Sequence, residues 1–231
     1  NFLYPPICVL CQKSLFPSDP NPCVCPQCLM SVRKNTPPFC RKCTRPLNKP
    51  SDVFCRNCRH SHFHFDHAYA ACLYTPAFQR LLHLYKYGNF TAARRIFSSF
   101  MIDFIDLYAV PVRAFDLIIP VPLHPVRQRE RGYNQSHLIA LELSRHYKIP
   151  YNPQIVRRTI YSLNQARVRS KQRWTNVESA FKIKSHSRII NTNILIVDDL
   201  LTTGATLSSL ADVLKSGGAK EVSALTAAIA E

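Results

Sequence analysis

Nine of the ten cysteines lie before residue 60, and eight of them form four C-x-x-C pairs: Cys8/Cys11, Cys25/Cys28, Cys40/Cys43 and Cys55/Cys58. The gaps between successive pairs are 13, 11 and 11 residues. A C-x-x-C turn aims two thiolates at one tetrahedral ion, and a second such turn completes the shell. Eight ligands therefore suit two Zn²⁺ ions. Each ion is filled by four sulfurs, with no open position for water, so the sites read as structural. Sequential pairing is simplest: Cys8, Cys11, Cys25 and Cys28 on one ion, then Cys40, Cys43, Cys55 and Cys58 on the other. A cross-braced pairing, first with third and second with fourth, also satisfies the spacing. Cys23 sits close enough to compete with Cys25. The rival reading is a disulfide framework, but C-x-x-C makes a poor structural disulfide and no export signal is evident. A redox use needs one motif at a helix start, not four in a Pro-rich stretch.

The rest of the head fits that reading. Gly is scarce at 5 and Pro plentiful at 17, many of them early in the chain. A head of about 60 residues with little apolar periodicity needs metal staples to fold. Its surface is basic: Arg33, Lys34, Arg41, Lys42, Arg45, Lys49, Arg56 and Arg59 face few acids. Phe39, Phe54 and Phe63 suit either base stacking or covering the zinc sites. His60, His62, His64 and His67 read as a polar linker alternating with Phe, with a further metal site as the alternative. The whole chain carries a net charge of +16 and a pI near 9.7. Such a balance favours polyanionic partners, although charge alone names none of them. No run of about 18 apolar residues occurs, so no membrane span is expected. The first residues lack the basic and apolar regions of a secretory signal, and a cytoplasmic location is expected.

From about residue 67 the pattern becomes regular. The chain divides into a cysteine-rich head, 1–66, and a second domain, 67–231. Ala68 to Tyr74 reads as a strand, with Cys72 as a core thiol. Thr75-Pro76 opens a helix that Gly88 ends. Asn89 to Tyr108 reads as a second helix, with Ile96, Phe97, Phe100, Phe104 and Leu107 at helical spacing. Asp116 to Val121 and Asn193 to Val197 read as buried strands, Asn134 to Tyr147 and Thr206 to Lys215 as helices, and Val222 to Ile229 as a last strand. Strand–helix alternation implies a parallel sheet wrapped by helices. In such sheets ligands sit at the carboxyl ends of strands.

Two segments fall there. In Ile194-Leu195-Ile196-Val197-Asp198-Asp199-Leu200-Leu201-Thr202-Thr203-Gly204-Ala205-Thr206, two carboxylates emerge at a strand tip, where burial is costly without a partner. Adjacent ribose hydroxyls are suitable donors. Thr202, Thr203, Gly204, Ala205 and Thr206 then turn into a helix whose N–H groups and hydroxyls suit a phosphate. The second segment, Pro120 to Gln135, places Arg127, Arg129 and Arg131 at alternate positions of a turn stiffened by three prolines. Arginine forks two hydrogen bonds onto one phosphate, which suits a diphosphate. Asn134 is placed to cap the next helix.

The first segment resembles the signature of type I phosphoribosyltransferases. That resemblance implies that Asp198 and Asp199 hold the ribose 2′- and 3′-hydroxyls of phosphoribosyl diphosphate, and that Thr202 to Thr206 cradle the 5′-phosphate. Taken together, the four C-x-x-C pairs, Pro-Val-Pro-Leu-His with Arg-Gly-Tyr-Asn-Gln, and Asp-Asp-Leu-Leu-Thr-Thr-Gly-Ala-Thr resemble ComF-type competence proteins. Arg157-Arg158, Gln165, Arg173, Asn176-Val177 and Ala180-Phe181 look like that family's middle block. The implied fold is an α/β, Rossmann-like parallel sheet of the type I phosphoribosyltransferase kind behind a double zinc ribbon. The implied role is the handling of single-stranded DNA in natural transformation, alongside other DNA-uptake proteins. Arg127, Arg131 and Arg173 join Asp198 and Asp199 as expected contacts of phosphoribosyl diphosphate or a related sugar phosphate. The basic stretch from Arg157 to Arg173 is the expected lid, or a DNA-facing loop. The alternative is an active phosphoribosyltransferase of nucleotide metabolism, in which Asp198 and Asp199 are catalytic and Mg²⁺ coordinates the diphosphate and ribose hydroxyls.

Overall fold

Short, nearly continuous apolar runs build the sheet. The computed structural model describes residues 6–19, 21–160, 180–184 and 189–230. Its strands are β1 (Ala68–Leu73), β2 (Leu117–Pro120), β3 (Val156–Arg158), β4 (Phe181–Ile183), β5 (Asn193–Leu201) and β6 (Glu221–Ile229). Its helices are α1 (Pro26–Met30), α2 (Arg56–His60), α3 (Pro76–Tyr87), α4 (Ala93–Leu107), α5 (Pro125–Arg131), α6 (Gln135–Tyr147) and α7 (Ala205–Ser216). One sheet has the order β1-β6-β5-β2, with every neighbour parallel. On β5, Leu195 and Val197 enter the core shared with α3, α4 and α6, while Ile194 and Ile196 enter the core shared with α7. A sheet buried on both faces needs such unbroken apolar strands. The α/β fold read from the sequence is the fold of the chain.

The head lies along the β1 edge. Leu73 N–H donates to Arg33 O at 2.9 Å, Asn35 N–H to Ala71 O at 2.9 Å, and Ala68 N–H to Lys42 O at 2.8 Å. Asn35, 1% exposed, donates its amide to Thr44 O at 2.8 Å and Ala70 O at 2.9 Å. These bonds satisfy backbone groups that an open edge would leave to another chain. The head straddles that edge. Cys8, Leu15, Val24, Cys25 and Val32 join the core on the α4 side, and Cys40, Cys43, Cys55 and Phe65 join the core on the α7 side.

Several elements differ from the sequence reading. The Pro120–Gln135 segment is not an open turn, because its middle forms α5. Pro125 pre-sets the first helical φ, His124 Nδ1 accepts from Val126 N–H at 3.3 Å, and Gly132 stops the helix at φ +80°. α4 starts at Ala93 and not at Asn89, since Asn89 takes φ +51° and turns the chain. Leu107, expected on its apolar face, is 73% exposed, and Met101 and Ile105 are buried instead. β5 runs on to Leu201, four residues beyond its expected end. Arg157 and Arg158 belong to β3, paired antiparallel with β4. Cys72 is fully buried in β1, as a core thiol should be. Residues 161–179, which carry Gln165, Arg167, Arg169, Lys171, Arg173 and Asn176-Val177, lie outside the described residues.

Candidate functional site

A cleft of about 540 Å³ opens at the carboxyl ends of β2 and β5. Asp198 and Asp199 form its floor. Both still belong to β5, and Asp198 pairs with Thr226 of β6, so the backbone under the carboxylates is rigid. Asp198 Oδ1 accepts from Ser136 Oγ at 2.7 Å and from Asp199 N–H at 2.9 Å. Burial, and then the neighbouring Asp199 charge, push the Asp198 carboxyl up to about 7, against the pull of Ser136 and Lys86. Asp199 is 3% exposed, and its Oδ1 accepts from Lys86 Nζ at 2.7 Å. Its Oδ2 is buried and has no hydrogen-bond partner among the described residues.

The loop after β5 forms one wall. Thr202, Gly204 and Thr206 line the cleft, whereas Thr203 and Ala205 sit on the same loop without lining it. Thr203 Oγ1 accepts from Ala205 N–H at 3.4 Å, and Ala205 packs into the core beneath α7. Gly204 has φ +86°, and a Cβ there would lie 2.7 Å from a Phe63 ring carbon. Phe63 stacks on Phe65 at 4.8 Å. Phe63 takes neither role expected of it, base stacking or covering a zinc site: it backs the loop. The head grips the loop again through Arg45, which donates to Thr202 O at 2.8 Å and to Ala230 O. A bare loop backbone at the N-terminus of the 12-residue α7 is what a phosphate requires.

The opposite wall comes from α5. Arg127 and Arg131 stand one helical turn apart and line the cleft, while Arg129 is exposed and does not. Arg131 donates to Gln135 Oε1, and its guanidinium lies 5.3 Å from the Tyr87 ring centroid. Arg158 enters from β3, where burial lowers its pKa against the supporting charge of Asp198. Arg173 lies outside the described residues. Lys86 and Ser136 are functional candidates that sequence reading missed, and Arg45, read there only as surface charge of the head, instead holds the loop. A single Lys on an amphipathic helix or a single Ser after a cap carries no local signal.

The thiols gather as two tetrads, Cys8 with Cys11, Cys25 and Cys28, and Cys40 with Cys43, Cys55 and Cys58, each within 4.8 Å of one another. The Cys11–Cys25 and Cys43–Cys55 sulfurs are 3.7 Å and 3.6 Å apart. Four sulfurs at about 2.3 Å from one Zn²⁺ stand about 3.8 Å apart, so the donor set fits the ion. Burial pushes the Cys8 thiol up, but N–H groups of Cys25, Cys11 and Leu10 outweigh it and bring it down to about 6. The grouping is sequential, and Cys23 belongs to neither tetrad. Among the described residues the histidines form no such group. His64 pairs with Asp212 at 3.3 Å, and His67 Nδ1 lies 3.3 Å from Arg41 O.

Comparison with known proteins agrees with both halves. Residues 1–59 match the Double zinc ribbon domain family, and residues 149–229 match the Phosphoribosyl transferase domain family. Competence protein F of Haemophilus influenzae is 37% identical over 108 residues, covering 46% of this chain and 47% of that protein. Competence protein ComFC of Bacillus subtilis is 33% identical over 141 residues, covering 60% and 55%. DNA utilization protein YhgH of Escherichia coli K12 is 34% identical over 107 residues, covering 46% of each. The chain spans about half the length of the curated relatives it matches. A double zinc ribbon ahead of a phosphoribosyl transferase domain, together with these relatives, supports the ComF resemblance read from the sequence.

Proposed function

We propose that the cleft binds phosphoribosyl diphosphate or a closely related sugar phosphate. One observation carries the reading: an acidic pair, a glycine-turned loop at a helix N-terminus and two arginines one turn apart share a single cleft. In this reading Asp198 and Asp199 accept from the ribose hydroxyls, and Thr202 to Thr206 take the 5′-phosphate. Arg127 and Arg131 fork onto the diphosphate, which brings Mg²⁺ with it. Arg173 is assigned to the same ligand by resemblance alone. The two cysteine tetrads hold structural zinc in the head, 1–66, which supports the body, 67–231.

The biological role we propose is DNA uptake in natural transformation, with the basic head and body handling single-stranded DNA alongside other uptake proteins in the cytoplasm. The names of the relatives and the +16 charge support it. Among the described residues no helix is long and apolar enough to cross a membrane. Turnover as a phosphoribosyltransferase is the second reading. It is favoured by arginines that face the carboxylates across the cleft, where a leaving diphosphate needs charge stabilisation.

The test is a titration with phosphoribosyl diphosphate and Mg²⁺, with and without single-stranded DNA. The proposal expects saturable binding, and any change of affinity on adding DNA measures the coupling of the two ligands, which is equal in both directions. Absence of binding under all these conditions contradicts it. Release of diphosphate on adding a base or amine acceptor selects the second reading.

A further inference from the structure

Lys86 has no part in the roles above, yet it is the cation closest to the acidic floor. It sits in the last turn of α3, its side chain is 20% exposed, and its Nζ lies 2.7 Å from Asp199 Oδ1. The Asp199 side chain is only 4% exposed. A carboxylate so buried is costly unless a charge is bonded to it, and the helix presents that charge from a fixed position. On the other carboxylate, Asp198 Oδ1 is already taken by Ser136 and the Asp199 N–H. Arg158 supplies a second positive charge that acts on Asp198. The Asp199 carboxylate is thus paired with a cation of the chain itself, and Arg158 lines the same cleft. A divalent ion placed on Asp199 Oδ1 would have to displace an ammonium at hydrogen-bond distance.

We propose that Lys86 is the resident cation of the Asp198–Asp199 floor. Its ammonium holds the place at Asp199 that a divalent ion would take, so the floor receives a sugar diol without metal. Any divalent ion that arrives is then held by the phosphates of the ligand. This rests on the sugar-phosphate reading of the cleft, and it adds what recognises the diol and where the metal does not go. The remaining ammonium protons are donors for a sugar hydroxyl or a phosphate oxygen.

Two measurements on the zinc-loaded full chain test it. In the first, Mn²⁺ stands in for Mg²⁺ as a paramagnetic probe, with no sugar phosphate present. Wild type and Lys86→Arg are expected to show no site at the floor. Lys86→Gln is expected to bind Mn²⁺ at least about tenfold more tightly, and Lys86→Gln with Asp199→Asn to lose that gain. A wild-type site of equal affinity, or no gain in Lys86→Gln, overturns the proposal. In the second, ribose 5-phosphate is titrated into wild type with and without Mg²⁺. Affinities within about threefold of each other are expected, and a requirement for Mg²⁺ of about tenfold or more overturns the proposal even if Lys86→Gln fails to fold. If ribose 5-phosphate binds under neither condition, the sugar-phosphate reading falls, while the Mn²⁺ arm still decides the place of Lys86.

Discussion

The Asp198 carboxyl lies beside a second carboxylate, and burial with that neighbour raises it from the ordinary 3.8 to about 7. Between those values the folded chain holds a proton that the unfolded chain has released. Stability from this group is therefore full below about pH 4, falls as pH rises toward about 7, and is flat above. Asp198→Asn should remove that slope and gain on the order of 1 kcal/mol at pH 8 while losing ligand affinity, because functional sites are commonly strained. Melting curves of both forms across pH check it, and identical slopes would contradict it. Gly204 gives a second residue-scale prediction. Its φ of +86° and the Phe63 ring at 2.7 Å leave no room for a side chain. Gly204→Ala should cost about 1–3 kcal/mol. Adding Phe63→Ala should recover the clash but not the backbone strain, so a double variant as stable as wild type would argue against the account.

At the scale of elements, the loop from Thr202 to Thr206 depends on the second zinc ribbon. Arg45 lies between Cys43 and Cys55 and bonds Thr202 O and Ala230 O, while Phe63 packs behind Gly204. The first ribbon packs on the α4 side of the sheet. Cys55→Ser should therefore weaken sugar-phosphate binding several-fold more than Cys25→Ser, as measured by calorimetry, and equal losses would deny the coupling. The same contacts explain what the sequence could carry. Strand, acidic pair, glycine turn and helix from Ile194 to Thr206 are written in local order, as are the cysteine knuckles and the Asn134 cap. Their signals need only period, spacing and turn chemistry. Lys86 reaches Asp199 across 113 positions, Ser136 reaches Asp198 across 62, and Arg45 reaches Thr202 across 157. Such pairs exist only after the strands have taken their order. The arginine segment misled for a different reason: its prolines suggested a turn, but one of them sits where a helix accepts it.

The whole molecule is a sheet whose open edge is closed by a metal-stapled head, with the cleft at the far end of its strands. Removing zinc should loosen that edge and the loop that Arg45 holds, not the head alone. With a +16 charge, binding of single-stranded DNA should weaken steeply with salt, log affinity falling with log salt by about 0.7 for each phosphate contacted. A salt-independent affinity would contradict an electrostatic footing. Calorimetric titration of phosphoribosyl diphosphate decides whether the cleft is a sugar-phosphate site. Wild type should bind at one site per chain, and Asp198→Asn should bind at least about tenfold more weakly while melting no lower. Equal binding by the two proteins, or none by wild type, would contradict the account.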